Sequence, residues 1–211
     1  MPTVTSLEKI KRLKGWFELV LDKSVSFPVN DELILKYLIG KGKQYLPHEI
    51  REIREQGEYL YLKKKALDAL GRRRLSEREL RDKLKPVPKS SQHIDKLIDD
   101  LKRLGLVDDT AYANALIHSH QVTGKKSKRY IKNKLYQKGV PKELAEKAID
   151  RELEEYDEAQ IALQLAEKKY KTIRELPVLK AKKRIADFLA GRGFGWDDIN
   201  YALDRVFGER E

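Results

Sequence analysis

Cations are the residues best placed to do chemistry in this chain of 211 residues. Lys125, Lys126, Lys128, Arg129, Lys132, Lys134, Lys138 and Lys142 follow one another with no acidic residue between Asp109 and Glu143. Tyr130 and Tyr136 are interleaved with them, and Arg72-Arg73-Arg74 forms a second basic knot. A solvated face normally mixes both signs of charge, so an unrelieved run of one sign points to an anionic partner. If residues 127–138 are helical, Ile131 and Leu135 face inward, while Lys128, Arg129 and Lys132 share an outer face with Lys125 close by. The candidate contact residues are therefore Arg72, Arg73, Arg74, Lys125, Lys126, Lys128, Arg129 and Lys132. The runs Lys168-Lys169-Tyr170-Lys171 and Lys180 to Arg184 have acids nearby and read as ordinary solvated surface.

Other chemistries find little support. The chain has no cysteine, which excludes disulfides, zinc-thiolate sites and a cysteine nucleophile. His118 and His120 would point about 200 degrees apart on a helix and cannot chelate one ion. Gly124-Lys125-Lys126-Ser127 fails the phosphate-loop pattern, because Ser119 stands where its first glycine belongs and no Ser or Thr directly follows Lys125. Gly191-Arg192-Gly193-Phe194-Gly195 lacks a preceding strand; it is expected to be an interhelical turn with positive φ at Gly193 and a helix starting from Gly195. Asp99-Asp100 sits among lysines on a helix, and Asp108-Asp109 is placed to cap the helix that follows. No nucleophile, base and orienting group can be assembled, so neither catalysis, metal nor cofactor is expected.

Composition points the same way. Charged residues make up 37% of the chain, its net charge is +11, and its pI is near 9.5. The excess is central: +5 over residues 59–109 and +4 over 110–156, against +1 over each of 1–58 and 157–211. Nucleic acid, anionic lipid or an acidic protein would suit such a chain, although the basic helix lacks the bulky apolar stripe of a membrane-surface helix. No apolar stretch is long enough to span a bilayer, and a cytoplasmic monomer is expected.

These cations must be positioned by helices. Near the N-terminus, Trp16 to Leu21 and Val25 to Pro28 are rich in β-formers and flanked by turn residues, which predicts a small antiparallel sheet. Asn30 or Asp31 should cap a short helix ended by Gly40 and Gly42. Helical patterning then runs from His48 to Leu70 and breaks at Gly71. Ser76-Glu77-Arg78-Glu79 reads as a capping box opening a helix with Leu80 and Leu84, which Pro86 and Pro88 should stop. Ser90 or Ser91 should cap the next, where Ile94, Leu97, Ile98 and Leu101 keep helical period.

This unit recurs. Leu80, Leu84, Leu97, Ile98 and Asp99 lie 51 residues before Ile131, Leu135, Ala148, Ile149 and Asp150. Ile131, Leu135, Gly139, Ala148, Ile149 and Asp150 in turn lie 54 residues before Ile185, Leu189, Gly193, Ala202, Leu203 and Asp204. Constant offsets at apolar and glycine positions define a repeat. A further helix precedes each unit, so the predicted fold is mainly α: three tandem three-helix repeats at 59–109, 110–156 and 157–211, behind a β-containing extension at 1–58. One trio buries little by itself, so the repeats are expected to share a core and form an elongated, curved chain. Both basic clusters would precede the middle helix of their repeats, which predicts one continuous basic surface.

The repeats resemble those of the RecX family, regulators of the RecA recombinase. The resemblance rests on Ala66-Leu67-Asp68-Ala69-Leu70 through Arg73, on Ser76-Glu77-Arg78-Glu79-Leu80-Arg81-Asp82-Lys83-Leu84, and on Leu104-Gly105-Leu106-Val107-Asp108-Asp109-Thr110-Ala111-Tyr112-Ala113. Lys138-Gly139-Val140-Pro141 and Arg192-Gly193-Phe194 extend it. Pro86-Val87-Pro88 replaces a more usual Lys-Gly turn, and Gly195 stands where Ser is commoner. The resemblance implies a helical-repeat protein that binds the RecA filament on single-stranded DNA and restrains its ATPase, strand exchange and co-protease activity. The alternative from the residues alone is a DNA-binding protein that needs no RecA.

Overall fold

A computed structural model of the chain describes residues 1–22, 24–85 and 91–208. By internal packing it divides into two units, one of Met1–Leu75 with Glu79–Val107, the other of Ser76–Arg78 with Asp108–Glu211.

The first unit opens with a three-stranded antiparallel sheet, β1 (Val4–Lys9), β2 (Trp16–Leu21) and β3 (Val25–Asn30), in the order β1-β2-β3. The register pairs Phe17 with Val29 and Leu19 with Phe27, so the alternating members of each strand fall on one face. That face packs on Ile50 and Ile53 of the long helix α2 (Pro47–Leu70). Between sheet and α2, Asn30 caps α1 (Asp31–Tyr37), its Oδ1 accepting from the Leu33 amide at 3.0 Å. The end of α1 corrects the expected glycine stop: Leu38 takes the left-handed conformation, φ 50°, and the glycines follow it.

Helix α2 crosses the sequence boundary drawn at 58/59 without a break. Its first half serves the sheet, and its second half contributes Leu62 and Ala66 to another cluster with Leu80 and Leu84 of α3 (Glu77–Leu84) and Ile94, Leu97, Ile98 and Leu101 of α4 (Ser91–Arg103). The expected stop at Pro86 and Pro88 and a cap at Ser90 lie outside the described residues, as does the side chain of Ser91.

The second unit holds the two later helix trios. The first comprises α5 (Asp109–Ser119), α6 (Lys128–Gln137) and α7 (Lys142–Glu152), and a π-turn at His120–Gly124 separates α5 from α6. The second comprises α8 (Glu158–Lys171), α9 (Val178–Ala190) and α10 (Trp196–Phe207). Each trio closes on its own buried cluster. Tyr112, Ile117, Ile131, Leu135 and Ile149 form one; Ala166, Ile185, Leu189, Phe194, Ile199 and Phe207 form the other. The expected shared core is therefore replaced, inside this unit, by two cores joined through polar contacts.

Candidate nucleic-acid interface

Two local rules build that polar joint. Ser127 takes extended backbone angles and caps α6, its Oγ accepting from the Tyr130 amide at 3.0 Å while its own amide donates to the Arg192 carbonyl at 3.1 Å. Only 1% of Ser127 is exposed. Gly193 adopts φ +90°, and a Cβ there would stand 2.5 Å from Ser127 Oγ and 2.7 Å from Tyr130 Cβ. The expected turn at Gly191–Gly195 is thus present, with positive φ at Gly193 and Gly195 capping α10, and it doubles as a seat for the start of α6.

The joint recurs. Ser76, also buried, donates from Oγ to the Lys138 carbonyl at 2.5 Å, and a Cβ on Gly139 (φ +81°) would strike the Arg78 side chain. The first-turn amides behave alike: Glu77 N–H donates to Asp109 Oδ1 at 2.8 Å, and Lys128 N–H donates to Glu158 Oε1 at 3.0 Å. Asp108 and Asp157, the residues just before these acceptors, cap α5 and α8. The paired acids Asp108-Asp109 and Asp157-Glu158 therefore each supply one cap for their own helix and one acceptor for another. Burial, partly countered by the bond from Lys128, holds the Glu158 carboxyl above the usual carboxylate range.

The cations of 125–132 hang on this frame in different states. Lys125 adopts the left-handed conformation, φ 41°, and its Nζ donates to Gln164 at 2.7 Å. Lys126 lies 4.6 Å from the Tyr130 ring centroid, and its carbonyl accepts from Tyr156 Oη at 2.9 Å. Burial, and then the nearby Arg192 guanidinium, push the Lys126 ammonium below its ordinary pKa. Arg129 is exposed and makes no ion pair within 4 Å among the described residues. Lys132 pairs with Glu146 at 2.6 Å, an acid the sequence run did not reveal because it comes from α7. In the first unit, Arg72 and Arg74 are exposed, whereas Arg73 forks onto Glu79 with two bonds of 3.1 Å. The two clusters fall in different units, and each stands as described within its own.

Sequence reasoning passed over four residues here. Lys168 and Lys169 of α8, Phe188 of α9 and Arg192 join Lys125, Val122, Gln164, Leu165 and Thr172 in lining a cleft of about 460 Å³. Among the described residues no acid lines it, although Lys168-Lys169 have acids nearby in the sequence. The Arg192 guanidinium carbon lies 3.7 Å from the Phe188 ring centroid, and Lys169 Nζ lies 5.6 Å from the same centroid. A second cleft, about 440 Å³, is lined by Arg129, Tyr130, Asn133, Lys134 and Gln137 together with Ala190, Gly191 and Gly193. The sequence signal that could have found Arg192 is its place 54 residues after Lys138, in a turn that must touch the start of α6.

Among the described residues no group of His, Asp and Glu is arranged to hold a metal ion, and no helix is long and apolar enough to cross a membrane.

Comparisons with known proteins agree with this architecture. Family models described as RecX, second three-helix domain, and RecX, third three-helix domain, match residues 108–149 and 155–203. The regulatory protein RecX of Clostridium acetobutylicum is 31% identical, over 98% of this chain and 97% of its own length. That of Streptococcus sanguinis is 29% identical, over 96% of this chain and 76% of its own. Among solved structures, a crystal structure of regulatory protein RecX covers 97% of this chain and 100% of its own, with 24% identity and a TM-score of 0.62. RecX from Lactobacillus salivarius covers 71% of this chain and 96% of its own, with 24% identity and a TM-score of 0.59.

Proposed function

The chain belongs to the RecX family, and from that premise we propose that it regulates the RecA recombinase by binding RecA filaments on single-stranded DNA and restraining their ATPase, strand exchange and co-protease activity. The observation that carries this is the match to a regulatory protein RecX along almost the whole of both chains. Helix trios offer wide solvated faces, which suits a protein that works by binding, as a cytoplasmic monomer without cofactor. Among the described residues Arg72, Arg74, Lys128 and Arg129 form no ion pair within 4 Å, which leaves them the cations best placed to meet phosphate, although the Glu158 carboxylate acts on Lys128 and Arg129 from further off; Arg73 and Lys132 would have to exchange Glu79 and Glu146 for it.

The test is RecA's DNA-dependent ATPase with the chain added. Inhibition is expected, weakening when Arg72, Arg73, Arg74, Lys128, Arg129 and Lys132 are changed together to glutamine. No effect of the unaltered chain on the ATPase would end the proposal. The density of cations around α6 favours a second reading, DNA binding that needs no RecA; tight binding to naked DNA with a steep salt slope, together with an unaffected ATPase, would select it.

A further inference from the structure

We propose that the cleft lined by Lys125, Lys168, Lys169, Phe188 and Arg192 is a subsite for one nucleotide of a single-stranded nucleic acid. The inference rests on the family reading only in expecting nucleic acid nearby; the recognition itself follows from the cleft. Cations on three different elements converge on it, and among the described residues no acid lines it. Phosphate is the anion that such a set of Lys ammonium groups and one guanidinium holds without demanding a fixed geometry.

Charge alone would also fit an acidic peptide, but the cleft has a second component. The Arg192 guanidinium lies over the Phe188 ring, 3.7 Å from its centroid, so a cation and an aromatic ring meet in the wall of the cleft, and Val122, which also lines it, is 67% exposed. Aromatic rings and guanidinium planes are the surfaces on which unstacked bases lie. Arg192 is partly held already: Nη1 donates to the Phe188 carbonyl at 3.4 Å, while Nε, buried, has no hydrogen-bond partner. The volume, about 460 Å³, lies within the ~300–1,000 Å³ of small-ligand clefts. A base still paired within a duplex cannot reach into a cleft of this kind, which is why the occupant is a single strand.

A polymer rather than a free nucleotide is indicated by the second cleft. It borders the same turn through Gly191 and Gly193 and presents Arg129 and Lys134. The turn carrying these glycines borders both clefts, so a strand leaving the Phe188–Arg192 pair can continue past it toward those cations.

Fluorescence anisotropy of the full chain with a labelled oligothymidylate and with a duplex of equal length, in the absence of RecA, tests this. Lys168→Gln with Lys169→Gln should weaken single-strand binding and lower its salt slope by roughly 1.4, at about 0.7 for each phosphate no longer neutralised. Phe188→Leu, which keeps an apolar side chain against the core, should weaken single-strand binding by roughly 5- to 150-fold, the range for one missing base stack, and leave duplex binding nearly unchanged. Lys180→Gln with Lys183→Gln removes the same charge from exposed positions outside the cleft and should have little effect.

The proposal is overturned if the cleft and control pairs weaken binding equally, or if folded Phe188→Leu binds the oligonucleotide like the unaltered chain. It is also overturned if dTMP or ATP occupies the cleft while oligonucleotide binding persists, or if the cleft variants lose only RecA binding. Should the unaltered chain leave RecA's ATPase untouched yet bind single strands through this cleft, the regulatory proposal fails and this one stands.

Discussion

Arg72–Arg74 and Lys125–Arg129 look alike as strings of letters, both dense in positive charge and both just ahead of a helix. In the structure the first follows the C-terminus of α2, where Gly71 has ordinary helical angles and Arg72 and Arg74 extend from exposed backbone. The second runs through a joint, with Ser127 buried, Lys126 beside a tyrosine ring, and the backbone tied to Arg192 and Glu158. The first is an open cationic surface that can follow any polyanion. The second has its cations placed by packing, so it can favour one ligand shape over another. What separates the clusters is how much of the backbone beneath them is already committed.

Substitutions at the two glycines should break this contrast most sharply. Gly193→Ala puts a Cβ within 2.7 Å of two neighbours at φ +90°, and should destabilise the second unit by about 3 kcal/mol, measured by chemical denaturation. Gly71→Ala meets only the Leu67 carbonyl, at 3.3 Å, and should change stability by less than about 1 kcal/mol. Equal destabilisation at both would show that the joint carries no special constraint.

A smaller effect is expected at Ser127. Ser127→Ala removes the cap on the Tyr130 amide and should cost about 1 kcal/mol, with faster amide exchange confined to the first turn of α6. Exchange that stays unchanged there would mean that the Arg192 and Glu158 contacts hold the turn without the hydroxyl.

Least in size is a pH effect confined to the second region. His120 sits 5.5 Å from the Tyr130 ring, and burial first, then Lys126 and Lys134, lower its pKa from 6.5. A histidine held neutral in the fold contributes stability that is present above pH 6.5 and lost as pH falls through the depressed value. Denaturation midpoints between pH 7.5 and 5 should fall more steeply for the unaltered chain than for His120→Gln. Parallel profiles would remove His120 from the account.

Much of this architecture was legible beforehand. The β-formers of Trp16 to Leu21 between turn residues announced a strand, the spacing of Ile94, Leu97, Ile98 and Leu101 a helix, and Asp108 a cap, because each signal acts over a few residues. The helical run from His48 to Leu70 was legible as well, but not that this one helix serves two clusters, so that a boundary at 58/59 falls inside it; a helix that changes partners midway keeps the same local preferences throughout. At the site, the run from Lys125 to Lys132 was visible, but Glu146 opposite Lys132 and the company of Lys168, Lys169, Phe188 and Arg192 were not. Those partners come from other helices and from the turn after α9, and no short-range pattern records which of these will meet.

The sequence by itself determined the periodicity: apolar positions recurring at 51 and 54 residues, with Gly139 recurring as Gly193, set the same pattern of helices in successive units, as backbone preference and burial are set locally. It also determined that the chain is strongly cationic at its centre. Only the tertiary structure decided which cations are neutralised, which share a cleft, and where an aromatic ring joins them. Those outcomes depend on distances between side chains dozens of residues apart, and packing, rather than composition, sets such distances.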